Sequence, residues 1–482
     1  MILLSTMFSG FPKESVCGSI EQYESVGVLV SYLIMGIYCV KFSDQKNSSW
    51  IEKALITGLI ISSILGVLQF FQLDFWNTEI GKSLLIPESH TELRESLRFS
   101  KDAEGFARVY MALYNPTYAG IYLVMLLPLL ALSKKRMSKI LLIPVGLCLI
   151  GTMSKTAWLA FILVMVLGYW MMSKPENVKK KKFLFAGATA FVLLLIFVLP
   201  ISSDGVVHEK KQLQEVVGEE EHIRIVYGGN TLYFSEFPKD DGVTYKIVDE
   251  AGNKLKLFWV EERGEMDSLD PRFKELHFKV YKKDDIGYAA FRYNDVVFRF
   301  TNDLGTGKYE YVSMNGKTDE IVTADCLFET GDAFLNGRGY IWKRMIPLIA
   351  DNALLGTGPD TFLQVFPQND YVARANLGYG FFSEILTNAH NLYLQIGLQN
   401  GLLVLVCTIW LLISYIKKTW KFYAQKDDYD EIDRLGIACF LGSVGYLVCG
   451  FTFASSICTT PIFIILVGIT LGSQKREQRK NV

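Results

Sequence analysis

Residues 117–133 read TYAGIYLVMLLPLLALS, and the basic triplet KKR follows at 134–136. This run holds no charged residue and approaches the roughly 20 apolar residues that a helix needs to cross a bilayer core. Eight further apolar runs of similar character lie along the chain, near residues 25–41, 51–71, 138–153, 156–173, 183–200, 391–416, 435–453 and 457–473. The sequence therefore predicts a polytopic α-helical membrane protein with nine visible spans.

Basic residues recur in every second loop between these runs. They follow the runs that end near 133, 173, 416 and 473. Cytoplasmic loops of membrane proteins carry an excess of Lys and Arg. The pattern therefore predicts a cytoplasmic C-terminus and places the N-terminus and the loops 72–116 and 201–390 outside the cytoplasm.

The long loop contains a segment, 201–336, whose apolar residues alternate with polar ones. Such alternation is typical of half-buried strands. Turn signals, among them Gly228-Gly229-Asn230 and Asn315-Gly316, separate the alternating stretches. The sequence predicts an inserted extracytoplasmic all-β domain, a small antiparallel sandwich or barrel. The chain then divides into four parts, 1–200 (membrane helices), 201–336 (β-rich domain), 337–390 (outer catalytic-loop helices) and 391–482 (membrane helices and cytoplasmic tail).

Composition argues against several classes of function. The 482 residues carry a formal net charge of −1, so no basic field suggests nucleic acid as a partner. The eight cysteines form no CxxC pair, and the sequence holds no Walker A or HExxH motif. We therefore predict no metal and no cofactor, and an enzyme of this kind would draw on a substrate activated beforehand.

His390 stands at the predicted outer end of the run 391–416. Imidazole accepts a proton near neutral pH, and ionisable groups at the mouth of a membrane helix often face a functional cavity. A purely structural histidine is the alternative interpretation, and position alone leaves both open.

Cations recur on the predicted outer side, close to membrane level. These are Arg108, Lys155, Arg338 and Arg344. Guanidinium and ammonium groups bind phosphate oxygens, so together they indicate a site for a phosphate-bearing ligand. The alternative for each is an interfacial side chain that extends toward lipid headgroups. Asp360 closes the turn Gly356-Thr-Gly-Pro-Asp360 and is a candidate to orient a partner.

Three stretches resemble the O-antigen ligase/polymerase superfamily. They are Arg338-Gly-Tyr-Ile-Trp342, Leu355-Gly-Thr-Gly-Pro-Asp-Thr-Phe362 and Ala389-His-Asn-Leu-Tyr-Leu-Gln-Ile396 with Gly401-Leu-Leu. Ser154-Lys-Thr-Ala-Trp158 is similar to the family's Ser-Arg-Gly segment, with lysine in place of arginine. Arg108 with Asn115-Pro116 is similar to its Arg…Asn-Pro entry to a membrane helix.

The resemblance implies a metal-independent, inverting glycosyl transferase in the bacterial cytoplasmic membrane. Its donor would be an oligosaccharide on undecaprenyl diphosphate, and a glycan acceptor and the lipid bilayer would be its other partners. Arg338 would act as a catalytic residue and, with Lys155, Arg108 and Arg344, would bind the diphosphate. His390 would position or deprotonate the acceptor hydroxyl, and Asn391, Tyr393 and Asp360 would support the site. The family usually has about twelve spans, so three would be missing at the N-terminus.

Three functions remain open at this point. The first is a polymerase that joins repeat units of a capsule, exopolysaccharide or wall polysaccharide. The second is a ligase that moves a finished glycan to a lipid, wall polymer or protein. The third is a non-enzymatic membrane sensor or transporter.

Overall fold

The computed structural model describes residues 1–42, 45–99, 108–113, 115–173, 212–239, 242–328 and 330–480. The chain forms two compact units. We name the first the helical unit; it takes in the described residues of Met1–Leu199, Asp351–Phe362 and Asn388–Val482. The second, the sheet unit, takes in those of Pro200–Ala350 and Leu363–Thr387.

The first nine helices all belong to the helical unit. They are α1 (Ile2–Met7), α2 (Pro12–Cys17), α3 (Val26–Phe42), α4 (Gln45–Phe70), α5 (Glu79–Leu85), α6 (Thr91–Ser96), α7 (Pro116–Leu132), α8 (Arg136–Gly151) and α9 (Lys155–Met172). Polar caps fix two of their starts: the side chains of Asn115 and Ser154 accept backbone N–H groups of the first turns of α7 and α9. The predicted run 183–200 lies outside the described residues.

Among the described residues, four helices are long and apolar enough to cross a membrane. These segments are Ser48–Phe70, Lys155–Met172, Leu402–Ala424 and Glu431–Cys449, and Val26–Phe42 and Pro116–Leu132 are shorter apolar helices. The protein is accordingly a membrane protein with a separate all-β region, as the sequence predicts. The number of spans and their direction remain predictions.

The predicted single span 391–416 is wrong in one respect, because two helices occupy it. These are α14 (Leu392–Asn400) and α15 (Leu402–Ala424). They break at Gly401, whose φ of 86° and ψ of 162° end the helical hydrogen bonding. The Leu402 N–H instead donates to the carbonyl of Ala353, at 2.7 Å. The hydropathy of the run continues through the break, so the apolar pattern alone does not reveal it.

The last two helices, α16 (Glu431–Cys449) and α17 (Thr460–Lys480), complete the helical unit. Helix α16 is the most buried of the four long apolar helices described, and it packs against α7, α9 and α17. Its sequence places small residues, Gly436, Gly442 and Gly445, where neighbouring helices approach closely. A capping box at Asp430 and Asp433 starts this helix.

Eleven strands and four helices form the described sheet unit. The strands are β1 (Leu213–Gly218), β2 (Ile223–Tyr227), β3 (Asn230–Lys239), β4 (Gly242–Asp249), β5 (Leu257–Val260), β6 (Glu265–Ser268), β7 (His277–Lys283), β8 (Ile286–Tyr293), β9 (Val296–Thr301), β10 (Glu310–Val312) and β11 (Thr318–Asp319). The helices are α10 (Phe334–Asp351), whose last residue belongs to the helical unit, α11 (Phe362–Val365), which straddles the two units, α12 (Tyr371–Asn376) and α13 (Tyr379–Ser383).

The strands form two antiparallel sheets. One has the order β1-β2-β3-β4, and the other runs β11-β10-β9-β8-β7-β6-β5. Aromatic residues of both sheets share one core, where the rings of Phe234 and Phe278 meet at 5.5 Å. The unit is therefore a sandwich, one of the two predicted architectures.

The boundary predicted at residue 336 does not coincide with the edge of the sheet unit. Val372, Ala375 and Phe382, from the predicted loop helices, belong to the same apolar core as the strands. The side chain of Asn376 also exchanges hydrogen bonds with the backbone of Leu213 in β1, at 3.1 and 2.8 Å. The helices complete the sandwich because they cover core residues that the strands alone leave open.

Candidate functional site

Arg338 follows a backbone kink inside α10. Leu335, Asn336 and Gly337 have positive φ values of 49°, 57° and 84°, so regular helix begins at the arginine. A Cβ on Gly337 would lie 2.5 Å from the Phe381 ring, which explains why glycine precedes the arginine. Two successive non-glycine residues in the left-handed region are uncommon, and such strain is concentrated at functional sites.

The Arg338 guanidinium is held on one side only. Its Nη1 donates to the carbonyl of Leu335 at 3.1 Å. Its Nε is buried and has no hydrogen-bond partner among the described residues. Burial lowers the pKa of Arg338 from its ordinary value, yet an arginine remains charged at neutral pH. Arg338 thus carries a positive charge that no carboxylate of the described residues neutralises.

Arg344, two turns further along α10, is fully engaged. Its Nε donates to Asp370 Oδ2 at 2.6 Å, and its Nη1 lies 3.2 Å from Asp332 Oδ1. The guanidinium also stacks over the Tyr340 ring, 3.9 Å from its centroid. The Tyr340 hydroxyl donates to the same Asp370 oxygen at 3.1 Å. A diphosphate would have to displace two carboxylates here, so the geometry favours a structural role for Arg344.

We expect Arg344→Ala to destabilise the sheet unit by about 3–5 kcal/mol, because it leaves Asp370 buried without its charged partner. Thermal unfolding in detergent measures this loss as a lowered Tm. Lys282→Ala is the matched control, because it removes an ion pair at the surface. The Lys282 side chain is 48% exposed and the side chain of its partner Asp285 is 98% exposed. An unchanged Tm for Arg344→Ala would contradict the structural role.

His390 lies in a tight turn before α14. Its φ is 45°, and its backbone N–H donates to Asn388 Oδ1 at 2.8 Å. Asn388 in turn donates through Nδ2 to Glu21 Oε2 at 3.0 Å. The N–H of Ala389 donates to Gln395 Oε1 at 2.9 Å. Side chains therefore fix the backbone on both sides of a partly buried histidine.

Asn391 and Tyr393 hold this turn against the helix that follows. Asn391 caps α14, because its Oδ1 accepts the N–H groups of Tyr393 and Leu394, both at 3.0 Å. Its Nδ2 donates to the carbonyl of Phe451 at 3.3 Å. The Tyr393 hydroxyl donates to the carbonyl of Leu447 at 2.8 Å. Both residues thus tie the histidine turn to the end of α16.

Lys155 and Arg108 come together at the start of α9. Lys155 is the first residue of the helix, is exposed, and forms no ion pair within the described part of the chain. Arg108 donates through Nε and Nη2 to the carbonyl of Thr152, at 3.1 and 2.9 Å. The sequence separates these residues by 47 positions, but the structure places Arg108 on the turn that precedes Lys155.

The lysine turn and the histidine turn share one neighbour, the connection after α16. Thr156, next to Lys155, accepts a hydrogen bond from Thr452 Oγ1 at 2.9 Å. Phe451 directly precedes Thr452, and its carbonyl accepts the hydrogen bond from Asn391 Nδ2. The helical unit thus brings His390, Asn391, Tyr393, Lys155 and Arg108 into one region, while Arg338 and Arg344 belong to the sheet unit.

Asp360 fastens the N-terminal segment of the helical unit. Its Oδ2 accepts the backbone N–H groups of Ser19 and Glu24 at 2.6 and 3.0 Å. The hydroxyls of Ser5 and Ser9 donate to the carbonyls of Gln399 and Thr357 at 2.8 and 2.6 Å. Sequence reasoning missed these contacts, since short polar segments have no periodicity and their partners lie 336 to 394 residues away.

Burial raises the pKa of Asp360 from 3.8 to about 6. The folded state therefore holds this proton more tightly than the unfolded state does, so protonation stabilises the fold. We expect the stabilisation of the fold by protonated Asp360 to be fully present below pH 4 and to be lost as pH rises through about 6. Thermal melts of wild type and Asp360→Asn at pH 5 and pH 8 test this. The asparagine keeps an acceptor but does not titrate, so an equal pH slope in both proteins would contradict it.

The described residues contain no group of three or more His, Cys, Asp or Glu side chains placed to hold a metal ion. The candidate residues are cations on each of the two units and a histidine on the helical unit. Such groups can bind an anion, stabilise a leaving group and transfer a proton.

Comparison with known proteins adds one finding. Residues 289–409 match the family Wzy_C, described as O-Antigen ligase. No curated protein and no solved structure matches the chain. The matched segment contains Arg338, Asp360 and His390, and it does not reach Arg108 or Lys155. This match confirms the resemblance read from the sequence: residues 289–409 of this membrane protein are similar to the O-antigen ligase family.

Proposed function

We propose that this protein transfers a glycan from an undecaprenyl-diphosphate-linked donor at the outer face of the bacterial cytoplasmic membrane. In this proposal it polymerises repeat units of a capsule, exopolysaccharide or wall polysaccharide. The observation that carries the proposal is Arg338, whose buried Nε lacks a partner among the described residues. It stands inside the segment that matches the O-antigen ligase family.

The reaction is an inverting displacement that needs no metal. An acceptor hydroxyl attacks the anomeric carbon while the bond to the diphosphate breaks. Arg338 binds the diphosphate and stabilises the charge that develops as it leaves. Lys155 and Arg108 add positive charge on the helical unit, although lysine lacks the paired donors of arginine.

His390 accepts the proton of the attacking hydroxyl as the new glycosidic bond forms. Asn391 and Tyr393 position it through the cap and the hydrogen bond to the end of α16. Asp360 supports the same unit by holding the N-terminal segment. Arg344 changes its role in this proposal: it positions α10 through Asp332 and Asp370 instead of binding phosphate.

A ligase is the second candidate, and the description of the matched family favours it. It would use the same donor site and transfer a finished glycan to a lipid, wall polymer or protein. In either case we place the large β-rich loop outside the cytoplasm and the C-terminus inside, because the basic residues follow that pattern.

A glycan gel on the purified protein in lipid bilayers tests the proposal. The protein receives undecaprenyl-diphosphate-linked repeat units, with and without an added acceptor, beside His390→Ala and the matched control His90→Ala, an exposed histidine. A product ladder that wild type and His90→Ala form and His390→Ala does not form supports a polymerase. One product that needs the added acceptor supports a ligase. No product under either condition would favour a sensor or transporter.

A further inference from the structure

The outer face of the seven-stranded sheet carries a row of three cross-strand partners. Lys279 in β7 pairs with Ala290 in β8, which pairs with Arg299 in β9. Neighbouring strands lie about 4.8 Å apart, so the backbones of the two cations are separated by roughly 10 Å. The small Ala290 between them leaves a depression of about 260 Å³.

The two flanking cations are not neutralised by the protein. Neither Lys279 nor Arg299 forms an ion pair with any residue that the structure describes. Glu265, the one acidic residue of the lining, is held by Arg292, with Oε2 2.7 Å from Nη2. Arg292 also pairs with Asp295, at 3.3 Å, so its charge is neutralised. Lys279 and Arg299 remain as two lining cations without an ion pair among the described residues, and the depression favours an anion.

An aromatic platform borders the same depression. The rings of Tyr281 and Tyr288, cross-strand partners, stack with centroids 5.2 Å apart and planes 16° apart. Lys279 Nζ lies 5.7 Å from the Tyr281 ring centroid. The Arg299 side chain hydrogen-bonds the Tyr281 hydroxyl. A flat apolar ring surface beside fixed cations is the combination that accepts a sugar ring bearing an acidic group.

We propose that this depression, lined by Lys279, Ala290, Arg299, Tyr281 and Arg292, binds an anionic glycan, with one carboxylate- or phosphate-bearing sugar seated over Ala290. Pockets for drug-sized ligands measure about 300–1,000 Å³, so a volume of about 260 Å³ suits one sugar residue. The adjoining sugars lie along the open face of the sheet. The sheet unit then holds an acidic polysaccharide on the protein. This retention rests on the proposed function, whereas the binding itself does not.

Binding to the full-length protein in lipid nanodiscs tests the proposal. The probes are trigalacturonate, a phosphorylated trisaccharide and neutral maltotriose, with affinity read by thermophoresis. We expect at least one acidic probe to bind at least tenfold more tightly than maltotriose. Its affinity should fall between 50 and 500 mM salt, because screening weakens attraction between exposed charges.

Two variants address the depression separately. K279A/R299A removes both cations, and Ala290→Leu fills the space without changing charge; each should weaken binding of the acidic probe at least tenfold. K246A/K254A, which removes two exposed lysines from other parts of the sheet unit, is the charge-matched control and should bind like wild type. Each variant is first checked for a wild-type Tm.

Equal affinity for all three trisaccharides, or for a polyglutamate peptide, would overturn the glycan assignment. Unchanged binding by K279A/R299A would overturn the site. The salt series keeps the test decisive if Ala290→Leu does not fold. Since this assay needs no lipid-linked donor, failure of binding beside an intact product ladder overturns this inference alone, and binding without a ladder overturns the proposed transfer alone.

Discussion

Arg338→Ala is expected to reduce glycan transfer by about 10²–10³-fold, the typical loss when one donor to a developing negative charge is removed. The reason is that Arg338 is a partly buried cation of the matched segment, and its buried Nε has no hydrogen-bond partner among the described residues. Its one hydrogen bond given by the structure, to the carbonyl of Leu335, is local. We therefore expect the Tm of Arg338→Ala to stay close to that of wild type, in contrast to Arg344→Ala.

Initial rates with saturating and limiting lipid-linked donor measure this effect. Arg338→Lys is the graded control, because it keeps the charge and loses the planar pair of donors. It should fall between wild type and Arg338→Ala. Full activity of Arg338→Ala with an unchanged Tm would show that this arginine takes no part in the mechanism. A lowered Tm would instead give Arg338 a structural role, like that of Arg344.

His390→Ala is expected to lower the rate of transfer by about 10²–10⁴-fold, the usual contribution of a general base. Binding of the donor should remain, because His390 acts on the acceptor hydroxyl in the proposed mechanism.

The backbone of His390 requires a second variant. Its φ of 45° is unfavourable for alanine, whereas asparagine tolerates the left-handed region well. His390→Asn therefore keeps the turn and removes the base. If His390→Asn retains the wild-type rate while His390→Ala loses it, the histidine supports the turn and does not take the proton.

Much of the fold could be predicted from the sequence. Apolar length alone located α3, α7 and α9 to within a residue or two, because a bilayer-sized run has few other uses. Period-two alternation located strands such as β2 and β9. The break at Gly401 escaped prediction, since a hydropathy pattern averages over a window and a single backbone angle leaves no trace in it.

The candidate site residues stay predictions from the sequence, whereas their hydrogen-bond partners were found only in the structure. The recurrence of outer cations and the family motif indicated Arg338, His390 and Lys155. The family motif set Arg338 apart from Arg344, but the sequence did not reveal what engages Arg344, because its carboxylate partners lie 12 and 26 positions away. The cap formed by Asn391 follows a local rule, because an asparagine directly before an apolar run predicts the start of a helix. Its side chain could therefore be assigned to α14 from the sequence.

The hydrogen bonds between Asp360 and the N-terminal segment have a consequence for biosynthesis. Ser19 emerges from the ribosome 341 residues before its partner Asp360. At about 5–20 residues per second, roughly 17 to 70 s separate the two events. During this interval the strands of the sheet unit can already pair, whereas Ser5, Ser9 and Ser19 still lack the carbonyls and the carboxylate that they will meet. The helical unit is thus completed only after the inserted unit has been synthesised, and a nascent chain that stops before Asp360 contains Lys155 and Arg108 without the turn that presents His390.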